Sequence, residues 1–203
     1  DPVNGILFVT STSNCSPNAV MPGSESPLDT PEQTGVTHSD WSAAQGGAGG
    51  GRGAGPNVDG LPIWKGPVGR ITAIDMNTGE HLWAIPSADA PQAEQDMIRN
   101  HPLLQGVPNI DAIANRGRGF LAPMTVTPNL LLAASQTAAN TPVLRGIDKR
   151  TGRIVGEVEI PGISRYGMSS WEHNGHQYII IQLQDGIAAF GLPAAIPAAG
   201  AAH

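Results

Sequence analysis

The chain has 203 residues, a formal net charge of −6, 40% hydrophobic residues, 26 Gly and 18 Pro. That length admits one or two domains with a core, and the Gly and Pro usage favours short strands and turns over long helices. The acidic balance argues against a nucleic-acid partner, no apolar run reaches the ~18 residues of a membrane helix, and a lone Cys15 excludes an internal disulfide framework or a multi-Cys metal site.

In chain order, "DPVNGILFVTSTS" opens on a turn and runs into a long strand or strand pair. It reads as a strand already inside a domain, so other sequence is expected before Asp1. Residues 14–62 form a long Gly-rich loop; "GGAGGGRGAGP" has almost no side chains to bury. An interdomain linker is the alternative. Within it, His38-Ser39-Asp40 has the residue types of a hydrolytic triad, but adjacency in such a loop orients no base. Cys15 has no nominated His partner and reads as a plain thiol. The Gly-Arg-Gly scraps at 51–53 and 116–119 are too sparse for an RNA-binding tract.

"RITAIDM" follows as a strand with Ile71 and Ala73 on one face. Asn77-Thr78-Gly79 supplies a turn in which Gly79 takes positive φ, and "EHLWAIP" returns as a second strand that Pro86 stops. Residues 87–117 read mostly as loop, with a short helix in "PQAEQDMIRN" starting near Ser87 or Asp89. A four-strand unit comes next, at 120–126, 130–135, 143–148 and 153–159, and then strands near 168–172, 177–183 and 187–191. Residues 194–203 are a flexible Ala/Pro-rich tail.

The hairpin repeats. Ile74-Asp75 matches Ile147-Asp148 and Thr78-Gly79 matches Thr151-Gly152, at one spacing of 73 residues. Four-stranded antiparallel units in series describe propeller blades, so the expected fold is all-β: a partial β-propeller of about three blades over residues 1–193. A β-sandwich is the alternative. Blades need neighbours on both faces and three cannot close a ring, so a second chain or an N-terminal part of the same precursor is expected to supply the rest.

"AIDMNTGEHLW" resembles the tryptophan-docking motif, Ala-x-Asp-x-x-Thr-Gly-x-x-x-Trp, of pyrroloquinoline-quinone (PQQ)-dependent dehydrogenases. In the second copy Gly146 replaces the Ala and Gly156 the Trp, which predicts a weaker dock. "GLPIWKGPVGRITAIDMNTGEHLW", "HPLLQG", "GRGFLAPMTVTPNLLLAAS", "LRGIDKRTG" and "NGHQYIIIQLQDGIAAFGLP" are similar, in order and spacing, to the C-terminal part of that family, above all its glucose-dehydrogenase-like members. The resemblance implies an eight-bladed periplasmic propeller, membrane-associated if its partners are. It implies oxidation of a sugar or alcohol hydroxyl with PQQ and calcium, and electron transfer to a cytochrome c or to ubiquinone. The family's catalytic aspartate and calcium ligands lie in earlier blades and match no segment here. No catalytic residue is therefore assigned to this chain, and calcium is expected in the missing blades. Asn140, in "TAANTPVLRGID", is the nearest match to an asparagine that approaches the quinone, with a loop-capping Asn as the plainer reading; Lys65 is a candidate for an anionic cofactor carboxylate, with a solvated loop residue as the plainer reading.

Other residues have plainer readings. Asp75 and Asp148 are turn-formers in equivalent places; Arg116 and Arg118 flank glycines before a strand, with the positioning of an anionic group or a neighbouring blade as the alternative to a plain loop role; Trp171 is a blade-packing aromatic, with a substrate-pocket role as its alternative. His81, His101, His173 and His176 show no ligand spacing. A non-catalytic propeller segment for assembly or binding is the rival functional reading, since fold does not settle function.

Overall fold

The computed structural model describes residues 1–13, 20–22, 41–43 and 57–191. Cys15, His38-Ser39-Asp40, the Gly51-Arg52-Gly53 scrap and the 194–203 tail lie outside the described residues. The chain divides into two compact units, Asp1–Thr12 with Gly66–His203, and Ser13–Lys65.

The first unit begins with β1 (Ile6–Thr12). The second unit holds two short antiparallel pairs, β2 (Val20–Pro22) with β3 (Trp41–Ala43), and β4 (Asn57–Val58) with β5 (Leu61–Pro62). The rest of the first unit is built from β6 (Gly69–Asp75), β7 (His81–Pro86), β8 (Met124–Val126), β9 (Leu130–Gln136), β10 (Pro142–Asp148), β11 (Ile154–Glu159), β12 (Ser164–His173), β13 (His176–Leu183) and β14 (Gly186–Gly191). Its sheets run in the orders β1-β6-β7, β11-β10-β9-β8 and β12-β13-β14, every pair antiparallel. These are open sheets in series, a partial propeller.

The repeat extends to backbone detail. Asp75 N–H donates to Glu80 O and Gly79 N–H to Asp75 O; Asp148 N–H donates to Arg153 O and Gly152 N–H to Asp148 O. A bulge falls between Ala73 and Ile74 in one hairpin and between Gly146 and Ile147 in the other. Asp75 accepts from the Asn77 backbone N–H, and Asp148 from those of Arg150 and Thr151, so both carboxylates do shape turns.

Of the two readings of "GILFVTSTS", the long strand holds: it is one strand, whose partner β6 lies beyond the long connection, so the first sheet has three strands. Two expectations change. Residues 87–117 are not mostly loop: they carry α1 (Gln92–Arg99), a 3-10 turn (Pro102–Leu104) and α2 (Ile110–Ala114). Neither Ser87 nor Asp89 starts α1. Pro91 holds the cap position and has no side-chain acceptor to cap with; Ser87 Oγ–H is spent on Phe120 O and Asp89 on Arg145.

Strand alternation divides the middle sheet between two cores. Leu131 and Ala133 of β9 and Ile147 of β10 pack with Ile71 of β6 and Ala122, walled by Phe8, Trp83 and Ile85. Leu132 and Ala134 of β9 and Leu144 of β10 turn the other way, towards Ile179, Ile181 and Leu183 of β13 with Met168 and Phe190. The inner strands β9 and β10 are thus packed on both faces, while β11 stays exposed along its length.

Candidate functional site

Register fixes two ends. At one end lie the two hairpin turns, 76–80 and 149–153, with the β8–β9 and β12–β13 turns. There Trp83 reaches from β7 to the middle sheet. Its Nε1–H donates to Lys149 O at 3.0 Å, and its ring covers Gly152, where a Cβ would stand 2.7 Å from Trp83 Cδ2. Gly152 has φ +71°, so two constraints, backbone and space, require glycine there. The Lys149 ammonium is buried; it sits 2.6 Å from Asp1 Oδ2 and donates to Thr127 O and Pro128 O at 3.1 and 2.8 Å.

The opposite end carries the longer connections. The chain leaves at Thr12 and returns at Gly69, residues 87–123 join β7 to β8, and 137–141 join β9 to β10. Residues 160–163 and the β13–β14 turn lie there too, since Ile160 N–H donates to Pro142 O and Gln184 N–H to Ile163 O. An open groove of about 470 Å³, lined by residues that include Pro142, Ile163, Leu183, Asp185 and Ile187, separates the middle and third sheets at this end.

A charged cluster ties these connections down. Arg145, only 5% exposed on β10, pairs with Asp89 at 2.6 Å and with Glu157 at 2.8 Å. Burial opposes its charge, but its hydrogen bonds to Asp89 and Glu157, together with their negative charges, outweigh it and hold the guanidinium pKa above its usual value. Asp89 Oδ1 also accepts from Asn115 Nδ2 at 2.9 Å, and Asn115 Oδ1 accepts from Ala90 N–H at 2.9 Å. Arg116 pairs with Glu94 at 3.0 Å. Arg118 donates to Asp89 O and Thr137 O; burial lowers its pKa, and the charges of Asp89 and Glu94 offset part of that. The cluster is a set of braces. Every carboxylate in it is engaged by a cation or an amide.

Asn140 stands at this end, at the tip of the 137–141 turn. It takes the left-handed conformation, φ +68°, and its backbone N–H donates to Thr137 O at 3.0 Å. The side chain is exposed and makes no hydrogen bond among the described residues. Lys65 is exposed in the second unit. Trp171 stacks on Tyr178 across β12 and β13, centroids 4.8 Å apart, and is 41% exposed. Among the described residues no three His, Cys, Asp or Glu side chains gather as metal ligands, and no helix is long and apolar enough to cross a membrane.

The model of the PQQ glucose/ethanol/alcohol dehydrogenase β-propeller domain matches residues 1–179. The chain belongs to this family. Among curated relatives, the glycerol dehydrogenase large subunit of Gluconobacter thailandicus is 29% identical over 142 residues, covering 64% of this chain and 17% of that protein. Its namesake from Gluconobacter oxydans (strain 621H) is 30% identical over 117 residues, covering 57% of this chain and 14% of that protein. The chain therefore spans a small part of these relatives' length. Membership of the family gives the repeated turn and the docked Trp83 their context: they join consecutive blades of a quinoprotein propeller.

The braces Arg145 and Lys149 were not singled out from sequence. A signal existed: Val143, Arg145, Ile147 and Lys149 alternate onto one buried face, so two cations lie on an apolar stripe and must have partners.

Proposed function

We propose that this chain supplies C-terminal blades to a PQQ-dependent dehydrogenase that oxidises a hydroxyl of a sugar or alcohol, glycerol among the candidates. The observation that carries the reading is the Trp83 indole seated on Gly152 between consecutive sheets, at the family's own repeat. The exposed sheet edges and the apolar outer face of the third sheet, with Trp171 and Ile187 in solvent, support completion of the ring by other sequence, a second chain or another part of the same precursor.

The chemistry of the donors fits the cofactor. PQQ is a planar, anionic quinone, so its neighbours should be hydrogen-bond donors and cations. Asn140 offers an unengaged carboxamide at the end that carries the connections, and Lys65 an exposed ammonium. When bound, PQQ supplies the carbonyl carbon that accepts hydride. In this reading the chain's own residues hold and wall: Asn140 donates to a cofactor oxygen, and Lys65 is a separate candidate for an anionic group. The Asp89–Arg145 braces keep the 87–123 segment in place as a rim. The proton-accepting carboxylate and the calcium ligands come from other blades. The family resemblance supports a periplasmic location and a cytochrome c or ubiquinone as electron acceptor.

The test is reconstitution. The full-length protein, purified without cofactor, is titrated with PQQ and calcium, and dye reduction is followed with glycerol, glucose and ethanol. Activity that requires PQQ, with a quinone absorption band on the protein, is expected. A folded protein that binds no quinone would retire the enzyme reading in favour of a platform.

A further inference from the structure

One guanidinium ties together two connections of the same end. Arg118 Nε–H donates to Asp89 O at 2.6 Å and Nη2–H to Thr137 O at 3.2 Å. Its own backbone lies against the returning end of the long connection: Val68 N–H donates to Arg116 O at 2.6 Å, and a Cβ on Gly69 would overlap Arg118 O. The nearby carboxylates are engaged elsewhere, Asp89 by Arg145 and Asn115, Glu94 by Arg116. A guanidinium spent on main-chain carbonyls of two separate segments fixes backbone rather than neutralising charge.

The carbonyl it takes matters. Thr137 O is also the acceptor for Asn140 N–H, the bond that closes the turn, and Thr137 in turn donates its N–H to Thr141 O. The Thr137 hydroxyl accepts from Thr141 N–H at 3.2 Å. Asn140 sits at positive φ, a conformation that costs energy for a residue with a side chain and needs support from its surroundings. Gln92 N–H adds a further bond to Ala138 O at 3.1 Å. The turn is thus gripped from outside by the 87–123 segment, and Arg118 grips the atom nearest its closure.

We infer that Arg118 is a positioning residue for Asn140: by pinning the Thr137 carbonyl it sets where the Asn140 carboxamide stands. Its role at the cofactor rests on the reading of Asn140 given above; the grip itself does not.

The experiment uses the full-length protein with Arg118→Ala, Arg118→Lys, Asn140→Ala, the Arg118→Ala/Asn140→Ala double variant and, as control, Arg150→Ala, an exposed residue at the other end. Amide hydrogen exchange without cofactor comes first. Arg118→Ala should speed exchange at Asn140 and Thr141 by roughly tenfold, with Leu131–Ala133 unchanged, as loss of one or two charge-assisted bonds implies. Arg118→Lys, which offers a compact charge instead of a fork, should fall between, and Arg150→Ala should match the wild type. PQQ titration comes second: Arg118→Ala and Asn140→Ala should each weaken binding, and the double variant should be no weaker than Asn140→Ala alone. Unchanged exchange at Asn140 in Arg118→Ala overturns the inference; if that variant does not fold, unchanged exchange in Arg118→Lys does so. Faster exchange with wild-type quinone affinity in Asn140→Ala overturns the cofactor role and the reading of Asn140, while the grip stands.

Discussion

The two interfaces of the middle sheet use different physics. Towards the first sheet, apolar packing is crossed by directed contacts: the Trp83 indole on Lys149 O, Ser135 Oγ–H on Ser87 O, and the Arg145 and Lys149 ion pairs. Towards the third sheet, Ala134, Ile160, Ile179 and Ile181 form a plain apolar core, and no side-chain hydrogen bond joins the two sheets among the described residues. Gly156 stands where the second repeat would carry its Trp, with open space over it. Apolar burial holds both pairs together but tolerates sliding; directed bonds set the angle and register of one pair. The braced interface is also the one that anchors the 87–123 rim.

The largest effect should come from removing the brace. Arg145→Ala strands Asp89 and Glu157 without their cation. Breaking a buried pair costs about 3–5 kcal/mol, and since Asp89 and Glu157 keep 24% and 37% side-chain exposure, the low end, about 3 kcal/mol, is expected. Urea unfolding of the full-length protein measures it, and a loss below about 1 kcal/mol would mean the carboxylates are adequately served by water.

A smaller effect separates the interfaces through one substitution made twice. Gly152→Ala places a methyl 2.7 Å from the docked indole at φ +71°, so a loss of about 2 kcal/mol is expected. Gly156→Ala meets nothing within 4 Å and removes a flexible residue from a strand, so a change of about 0.5 kcal/mol in the stabilising direction is expected. Trp83→Ala should cost about 2–3 kcal/mol, less than a fully buried Trp, and in the double variant it should relieve the clash at Gly152→Ala, leaving about 1 kcal/mol for an alanine at positive φ. Equal costs for the two Gly variants would remove the distinction between interfaces.

Much of this was legible before the structure. Strand and turn positions came through because Gly79 and Gly152 mark turns that only glycine fits easily, and because the spacing of 73 residues carries one hairpin onto the other. The partner of β1 was not legible: its ladder runs from Ile6–Asp75 to Thr12–Gly69, and no local pattern announces a pairing across so long a connection. The start of α1 was misplaced because Ser87 and Asp89 have the chemistry of caps, while tertiary partners, Phe120 O and Arg145, claim both side chains. Asn140 was readable as a turn residue from its type. That its turn is gripped by Arg118 depends on a contact across 19 positions, which composition and periodicity do not carry.

The smallest expected effect lies in acid and concerns the turn under Trp83. Asp148 is held below the usual carboxylate range, first by the Thr151 hydroxyl and then by the Thr151 backbone N–H; desolvation opposes, and Arg150 N–H and the charge of Arg153 add smaller contributions. A depressed folded pKa means the unfolded chain binds the proton more tightly. The stabilisation is therefore present above about pH 4, the ordinary value for Asp, and is lost as pH falls through the lowered folded value. Asp148→Asn should make the full-length protein slightly less stable at neutral pH and flatten its stability profile on the acid side, the two proteins converging at the lowest pH. Thr151→Val, which deletes the hydroxyl donor, should give an intermediate profile. An Asp148→Asn curve running parallel to the wild type through the acid limb would show that these bonds persist in the unfolded chain, and the turn beneath the indole would then owe its shape to Gly152 and to the weight of Trp83 upon it.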